Sequence, residues 1–272
     1  MPFIFPEQME KIKKNLIEQE ETLRIVASFY ADAIESNGVI HIYANGHSRI
    51  TVEESCVRMG ALTGFHPLLS VGLTTFMDVI GPNGIRVNQA IEFTEGLGKK
   101  MLDEIHVAPN DVLLVVTATG TTAAAVDIAL AWSKYFPKNP LIGLCCKEQS
   151  MTASPKHSVG KNLVDIVESH TKGIVINNGM PSGDLSVSFS GKTGDYNICP
   201  LSSIGALSVT HSLNELTLKE LDRRDYAHMV LRNMHLNGYG INYDEWILDQ
   251  RRRYSRVIYN PDIISKKGNS NE

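Results

Sequence analysis

The sequence predicts an α/β protein in which a five-stranded parallel sheet lies between two helical layers, forming a three-layer α/β/α sandwich. Three observations predict this fold class. Five short apolar runs have the length of buried strands, helical segments alternate with these runs, and polar loops containing glycine follow the first and third of them. Strands that alternate with helices form parallel sheets covered on both faces. The 272 residues are enough for one sizeable core.

A long N-terminal amphipathic helix is predicted first, because apolar residues recur every three or four positions over residues 7–36. The Asn37-Gly38 pair then ends this helix. The five strands are predicted at residues 39–44, 65–70, 111–117, 140–145 and 173–177. The other helices are predicted at residues 48–60, 88–105, 121–135, 158–167 and 202–221.

The chain is predicted to divide at residue 221. Residues 1–221 form the α/β domain with its N-terminal helix, and residues 222–272 form a C-terminal helical extension rich in arginine and tyrosine. Such side chains could contact a sugar, a subunit or RNA, or the extension could simply cover the core as a surface helix. We expect it to pack on the same domain or on a neighbouring subunit.

The composition excludes several classes of partner. The 26 Lys and Arg residues stand against 30 Asp and Glu, and a formal charge of −4 gives no overall field that would attract nucleic acid. No apolar run approaches the roughly 18 residues needed to span a membrane. The four cysteines lack the CxxC spacing of metal sites. We therefore predict a cytoplasmic protein with no nucleic-acid or membrane partner.

The loop after the third strand is the first candidate for a binding site. Residues 117–122 read Thr-Ala-Thr-Gly-Thr-Thr, and a helix is predicted to begin there. Unpaired N–H groups and the helix dipole attract anions at a helix N-terminus, so hydroxyls and amides can hold a phosphate without lysine. The alternative is a capped turn with no ligand. The candidate residues are Thr117, Thr119, Gly120, Thr121 and Thr122.

A similar loop follows the first strand, with the candidate residues Asn45, Gly46, His47 and Ser48. If the strand order is 2-1-3-4-5, as in flavodoxin-like folds, the first and third strands are neighbours at the switch point where ligands bind. Both loops would then border one pocket. Neither loop has the GxxxxGK[ST] or GxGxxG pattern of nucleotide sites. The two loops together predict a site for a phosphate monoester.

In these loops the chain resembles the sugar isomerase (SIS) domain family. The family's phosphate loop, [ST]x[ST]Gx[ST], is matched by residues 117–122, and its G-x-S by residues 46–48. The phosphoheptose-isomerase-like branch is more similar still. Its GHS, EE, HSSGK, DNG and GD segments correspond in order to residues 46–48, 53–54, 157–161, 177–179 and 183–184. The resemblance covers roughly residues 7–221.

The resemblance implies a homodimer or homotetramer with sites at the subunit interfaces. It also implies a phosphorylated sugar as ligand, with its phosphate held by Ser48, Thr117, Thr119 and Thr122. After the fifth strand, Asn178 and Asp184 could orient sugar hydroxyls, or could belong to an ordinary turn.

The resemblance does not carry over a metal site. Phosphoheptose isomerases use a histidine and a glutamate at places similar to His211 and Glu54 as metal ligands. This chain departs from that pattern, because Arg58 stands where a further glutamate is expected and a glutamine ligand is replaced near Ser203. We therefore predict no metal and no cofactor, with zinc held by Glu54 and His211 as the open alternative.

Aldose–ketose isomerisation requires a base beside a carbonyl and an acid at its oxygen. Glu53 and Glu54 lie in the helix that follows the first loop, and one of them can face the pocket because adjacent helical residues point about 100° apart. The candidate acids are His47 and His211. Each also has a structural alternative: a solvated helix face for the glutamates, a loop contact for His47 and helix packing for His211.

The predicted function is therefore the binding of a sugar phosphate, most simply by an aldose–ketose isomerase. Two alternatives remain open at this point. A deaminase or lyase acting on an amino sugar phosphate would use the same pocket and the same proton abstraction. A non-catalytic sensor of phosphosugars would use the pocket without the chemistry.

Overall fold

The five predicted strands form one parallel sheet in the computed structural model, which describes residues 3–70, 85–236 and 242–257. The strands are β1 (Ile40–Ala44), β2 (Phe65–Leu68), β3 (Val112–Val116), β4 (Leu141–Cys145) and β5 (Gly173–Asn177). Their order is β2-β1-β3-β4-β5, and every pair is parallel. All residues of β1, β3 and β4 are buried, because helices cover both faces of the sheet. The predicted fold class and strand order are confirmed.

The helices divide into two layers. They are α1 (Phe5–Glu18), α2 (Glu20–Glu35), α3 (Arg49–Ser55), α4 (Ile85–Glu92), α5 (Leu97–Asp103), α6 (Ala123–Tyr135), α7 (Lys147–Thr152), α8 (Leu163–Ser169), α9 (Ser202–Arg223) and α10 (Tyr243–Tyr254). Helices α2 and α9 pack on the sheet face that carries Ile42 and Leu114. Helices α5, α6 and α8 pack on the face that carries Tyr43 and Val115. Of the helices described, none has the length and apolar character needed to cross a membrane.

The predicted long N-terminal helix is divided at Gln19. The backbone of Gln19 leaves the helical region, with φ −112° and ψ 19°, and separates α1 from α2. Its side chain explains the break: the Gln19 amide donates to the Asn177 carbonyl at 2.8 Å and accepts from the Asn177 N–H at 3.1 Å. Gln19 thus satisfies the backbone at the end of edge strand β5.

Other helix bounds also differ from the prediction. The helix predicted at 48–60 ends at Ser55, and the one predicted at 88–105 is two helices, α4 and α5. The helix predicted at 158–167 begins only after Asn162, whose side chain forms a capping box with Asp165.

A β-hairpin that was not predicted lies between β5 and α9. Strands β6 (Leu185–Gly191) and β7 (Gly194–Pro200) pair in antiparallel register, with Val187 opposite Ile198 and Phe189 opposite Tyr196. Apolar residues alternate with polar ones along both strands, which is the signal that could have predicted them. The turn weighed as an alternative at residues 180–184 lies just before this hairpin.

The C-terminal extension contacts the α/β domain through α10. Trp246 is fully buried, the side-chain oxygen of Gln250 accepts from the Gly64 N–H at 2.9 Å, and the Arg253 side chain donates to the Ile34 backbone carbonyl at 2.9 Å. Residues 237–241 and 258–272 of the predicted extension lie outside the described residues. The division at residue 221 stays a prediction.

Arg256 of the extension closes a buried polar cluster at the amino ends of β1, β2 and β3. It donates two hydrogen bonds to the Asp111 carboxylate, at 2.6 and 2.9 Å. Asp111 also accepts from Nε2 of His41 at 3.3 Å, and Nδ1 of His41 lies 2.9 Å from Nδ1 of His66. If Nε2 of His41 donates to Asp111, Nδ1 of a neutral His41 must accept a hydrogen bond. A neutral His66 that carries its proton on Nδ1 provides the donor.

The free energy of unfolding should fall as the pH is lowered from about 6.5 towards 4. Burial lowers the pKa of His66 to about 3 and that of His228 to about 4, so both are neutral in the folded protein. The unfolded chain binds more protons in this window, so acid favours unfolding by up to about 1.4 kcal/mol per pH unit for each histidine. Urea unfolding between pH 7.5 and 4.5 measures the slope, which His66→Gln should reduce. Equal stability at pH 7 and pH 5 would contradict the prediction.

Candidate functional site

The two predicted loops line one cavity at the carboxyl ends of β1 and β3. The cavity has a volume of about 370 Å³. It is lined by Asn45, Gly46, His47, Ser48, Gln89, Glu92, Thr117, Ala118, Thr119, Thr122, Asp184, Pro200, Ser202 and Ser203. Besides the two loops, the wall includes the end of α4, with Gln89 and Glu92, and the start of α9. This is the position at which open parallel sheets bind ligands.

The loop after β3 leads directly into the N-terminus of α6. Gly120 has φ +72°, and a Cβ there would lie 2.5 Å from the Ser150 hydroxyl oxygen, so the turn requires glycine. Thr122 precedes α6 in an extended conformation and makes no capping hydrogen bond. Its buried hydroxyl has no hydrogen-bond partner within the described ranges. The first amides of α6 and this hydroxyl are thus available to an anion.

The threonines of this loop are not equivalent. Thr117, Thr119 and Thr122 line the cavity, whereas Thr121 does not. The Thr121 hydroxyl instead lies 2.9 Å from the Thr119 hydroxyl. Thr121 therefore orients Thr119, and Gly120 shapes the backbone without lining the cavity.

The loop after β1 forms a 3-10 turn, Gly46–Ser48, that leads into α3. Asn45, Gly46, His47 and Ser48 all line the cavity. Asn45 is buried, and the structure gives its side-chain oxygen no hydrogen-bond partner among the described residues. The start of a second helix therefore borders the same space as the start of α6.

A third wall comes from the start of α9. The Asp184 carboxylate accepts from the N–H groups of Leu201 at 2.8 Å and Ser202 at 2.6 Å, and from the Ser202 hydroxyl at 2.7 Å. Asp184 lines the cavity, but both of its oxygens cap α9. The Ser203 side chain adds a further polar residue to this wall.

Asn178 lies beside the cavity and supports it. The side chain is buried, donates to the Ala118 carbonyl at 3.2 Å and accepts from the Met180 N–H at 3.1 Å. It is absent from the cavity wall. In this arrangement Asn178 holds the loop after β3 in place.

Glu92, which the sequence analysis missed, places a carboxyl group in the cavity wall. It is the last residue of α4 and is partly buried. Burial raises the pKa of Glu92, while a hydrogen bond from the Asn45 side chain and the charge of Lys156 oppose that shift. The available signal was a carboxylate placed between the apolar residues Ile91 and Phe93.

The glutamates that the sequence favoured lie outside this cavity. Glu53 is exposed and pairs with Arg49 at 3.3 Å. Glu54 pairs with Arg58 at 2.9 Å and lies 3.5 Å from Nε2 of His211. The structure therefore brings Glu54 and His211 together, but not with the two loops. Of the four predicted catalytic residues, His47 lines the cavity.

The residues around Glu54 do not fit a zinc site. A zinc ligand must leave its carboxylate free for the metal, and here Arg58 donates to that carboxylate. Across the part of the chain that the structure describes, no three His, Cys, Asp or Glu side chains converge in a way that could hold a metal ion.

A larger cavity of about 840 Å³ lies beside the C-terminal extension, between residues 226–236 and α10. None of the predicted site residues lines it. Because both anion-type loops meet at the smaller cavity, we assign the site there.

The first half of the chain is similar to a known protein family. Residues 5–135 match the SIS domain family, and this stretch contains both loops and Glu92. Over these residues the chain is similar to the SIS domain family. The resemblance predicted from the two loops is confirmed.

Similar proteins extend the comparison beyond residue 135. A UPF0309 protein of Shouchella clausii is 25% identical over 241 residues, which are 89% of this chain and 92% of that protein. A UPF0309 protein of Listeria monocytogenes is 25% identical over 244 residues, which are 90% and 92% of the two chains. The solved structure of a phosphoheptose isomerase from Neisseria gonorrhoeae superposes with a TM-score of 0.51 at 13% identity, covering 79% of this chain and 95% of that one. This likeness shows the shared fold.

Proposed function

We propose that this protein binds a sugar phosphate in the cavity and interconverts its aldose and ketose forms. One observation carries the proposal. Hydroxyl groups and the N-terminal turns of α3 and α6 converge on one cavity whose described lining residues include no Lys or Arg. Such a site suits a phosphate monoester, because neutral donors and helix dipoles can hold a small dianion.

The phosphate end of the ligand would bind to the loops after β1 and β3. The hydroxyls of Ser48, Thr117, Thr119 and Thr122 are the proposed side-chain donors, together with the first amides of α6. A hydrogen bond to a charged group contributes about 1.5 to 3 kcal/mol. Loss of one donor should therefore weaken binding roughly tenfold or more.

The sugar end would extend towards Gln89, Glu92 and the start of α9. His47 lines this space and is the proposed acid at the carbonyl oxygen. Glu53, Glu54 and His211 remain proposals as catalytic residues, but they lie outside the cavity wall of this chain. We also propose a homodimer or homotetramer, as the SIS resemblance implies, in which a neighbouring subunit could complete the site. Sedimentation of the purified protein tests the assembly.

A deaminase or lyase acting on an amino sugar phosphate is the second candidate. Two carboxyl groups, those of Glu92 and Asp184, line a cavity whose described wall includes no Lys or Arg. Carboxylates favour a nearby ammonium group, so this wall could suit an amino sugar. Incubation with glucosamine 6-phosphate separates the candidates, because ammonia release identifies deamination and a ketose product without ammonia identifies isomerisation.

Localisation in the cytoplasm is also a proposal. Its support is the chemistry of the cysteines: Cys56, Cys145, Cys146 and Cys199 are all free thiols. Free cysteines without disulfides fit a reducing compartment.

The Thr122→Val variant tests the phosphate site. The variant should lose most of the thermal stabilisation that fructose 6-phosphate, ribose 5-phosphate or sedoheptulose 7-phosphate gives the unmodified protein. Valine keeps the shape of threonine and removes the buried hydroxyl that lacks a partner in the described structure. Thermal melting with each compound at a fixed concentration measures the shift.

Thr217→Val is the matched control. The Thr217 hydroxyl is also buried without a hydrogen-bond partner among the described residues, but it lies in α9 away from the cavity wall. Both variants should fold at least as stably as the unmodified protein, because each replaces an unsatisfied polar group with an apolar one. A full ligand shift in Thr122→Val would contradict the phosphate assignment.

A further inference from the structure

Glu92 differs from the other glutamates near the site in what surrounds its carboxyl group. Glu53 and Glu54 each form an ion pair with an arginine of their own helix region. The Glu92 carboxyl lies in the cavity wall, and among the described residues of that wall there is no Lys or Arg to pair with it. A partly buried carboxyl directed at a ligand space without an ion-pair partner is the arrangement of an acid–base group rather than of a structural salt bridge.

The position of Glu92 is tied to the phosphate loops. Asn45, which belongs to the loop after β1, and Glu92 line the same cavity, and hydrogen bonding from the Asn45 side chain acts to lower the pKa of the Glu92 carboxyl. Asn45 is itself buried, and its neighbour in the loop is Gly46 of the 3-10 turn. A ligand whose phosphate is held by this loop is therefore presented to Glu92 in a fixed relation, which is what proton transfer from carbon requires.

The electrostatic environment suits exchange of a proton. Burial raises the pKa of Glu92, and the Asn45 hydrogen bond and Lys156 keep that rise in check. The Lys156 ammonium itself lies 4.7 Å from the centre of the Phe93 ring. A carboxyl whose pKa is raised towards the working pH is a stronger base than an ordinary surface glutamate and can also return the proton.

We propose that Glu92 carries the proton between the two carbons of the sugar, an inference that rests on the proposed isomerase function. The Glu92 carboxylate takes the proton from the carbon beside the carbonyl. The C–H electron pair becomes the C=C bond of an enediol, and the carbonyl oxygen takes up a proton from the acid, for which His47 is in place. The neighbouring hydroxyl then returns a proton to His47 and becomes the new carbonyl, while Glu92 gives its proton to the former carbonyl carbon.

The test compares Glu92→Gln with Glu95→Gln. Glu95 is the matched control because its carboxylate lies three residues along and accepts from the Ser158 N–H at 2.7 Å, away from the cavity wall. Each protein is incubated in D₂O with fructose 6-phosphate, ribose 5-phosphate, sedoheptulose 7-phosphate and glucosamine 6-phosphate. NMR follows deuterium entry at the carbons beside the carbonyl, and thermal melting follows binding of the same compounds.

Glu92→Gln should slow deuterium entry on the order of 10²- to 10⁴-fold, because the amide cannot accept the proton. It should keep the ligand-induced thermal shift, since the phosphate loops are intact. Glu95→Gln should exchange within a few-fold of the unmodified protein. Glu92→Asp should keep some deuterium exchange, because aspartate is also a base. The acid limb of its pH–rate profile should differ from that of the unmodified protein, and a purely structural role of Glu92 would not produce this difference.

The outcomes separate the inference from the function on which it rests. If the unmodified protein exchanges deuterium and Glu92→Gln does so within tenfold, the role of Glu92 is overturned and the isomerase proposal stands. If the unmodified protein binds a sugar phosphate without exchange, isomerisation and the role of Glu92 both fail. If it binds none of the compounds, the phosphosugar site itself fails.

Discussion

Gly205→Ala is expected to destabilise the protein strongly, although alanine normally favours a helix over glycine. A Cβ at Gly205 would lie 1.8 Å from the Asn178 carbonyl oxygen, so α9 and the segment after β5 would have to move apart. Overpacking of this kind costs about 3 kcal/mol, against a helix-propensity gain of less than about 1 kcal/mol. Thermal melting should therefore show a decrease in Tm of roughly 4 to 12 °C.

The same variant should also weaken the candidate site. Helix α9 supplies Ser202 and Ser203 to the cavity wall, and Asn178 holds the loop after β3 through Ala118. Displacing α9 from Asn178 therefore disturbs two walls at once. Ser208→Ala on the same helix removes only the hydrogen bond from its hydroxyl to the Ile204 carbonyl and serves as the control. An unchanged Tm in Gly205→Ala would show that the close approach of α9 to this segment is not required.

Local patterns made the sheet and the two loops predictable. Buried parallel strands are continuous apolar runs, and a glycine with neighbouring hydroxyls marks where such a strand turns into a helix. These signals depend on adjacent residues, so the loops at 45–48 and 117–122 could be placed from sequence. The strand order then brought them to one cavity, as the structure shows.

The remaining parts of the site depend on contacts between distant segments. Glu92 lies in the cavity wall because α4 lies beside the loop of Asn45. The two residues are 47 positions apart in the sequence, so no local pattern predicts that they meet. Asp184 was predicted, from its place after the fifth strand, to orient sugar hydroxyls, with an ordinary turn as the alternative. Its oxygens cap α9, which starts after a hairpin that was not predicted. Glu54 was favoured because it lies close to the first loop in sequence. The direction in which its side chain points was set instead by Arg58 and His211.

Asp111→Asn is expected to have the second large effect on stability. The Asp111 carboxylate is fully buried and accepts from the N–H groups of Val39 and Ala108 as well as from Arg256 and His41. An amide in its place turns one acceptor into a donor and leaves the buried Arg256 contact without its counter-charge. Breaking a buried pair in this way costs about 3 to 5 kcal/mol, which corresponds to a decrease in Tm of roughly 6 to 20 °C.

Two further variants show whether the loss comes from the charge at this position. Asp195→Asn changes an exposed carboxylate in the hairpin and should alter stability by no more than about 0.5 kcal/mol. Arg256→Ala removes the partner from the C-terminal extension but leaves Asp111 its bonds to Val39, Ala108 and His41, so its effect should be smaller than that of Asp111→Asn. If Arg256→Ala proves equally severe, the anchoring of the extension, rather than the acceptor set of Asp111, dominates the stability of this end of the sheet. Urea unfolding of the three variants at pH 7.5 distinguishes the two.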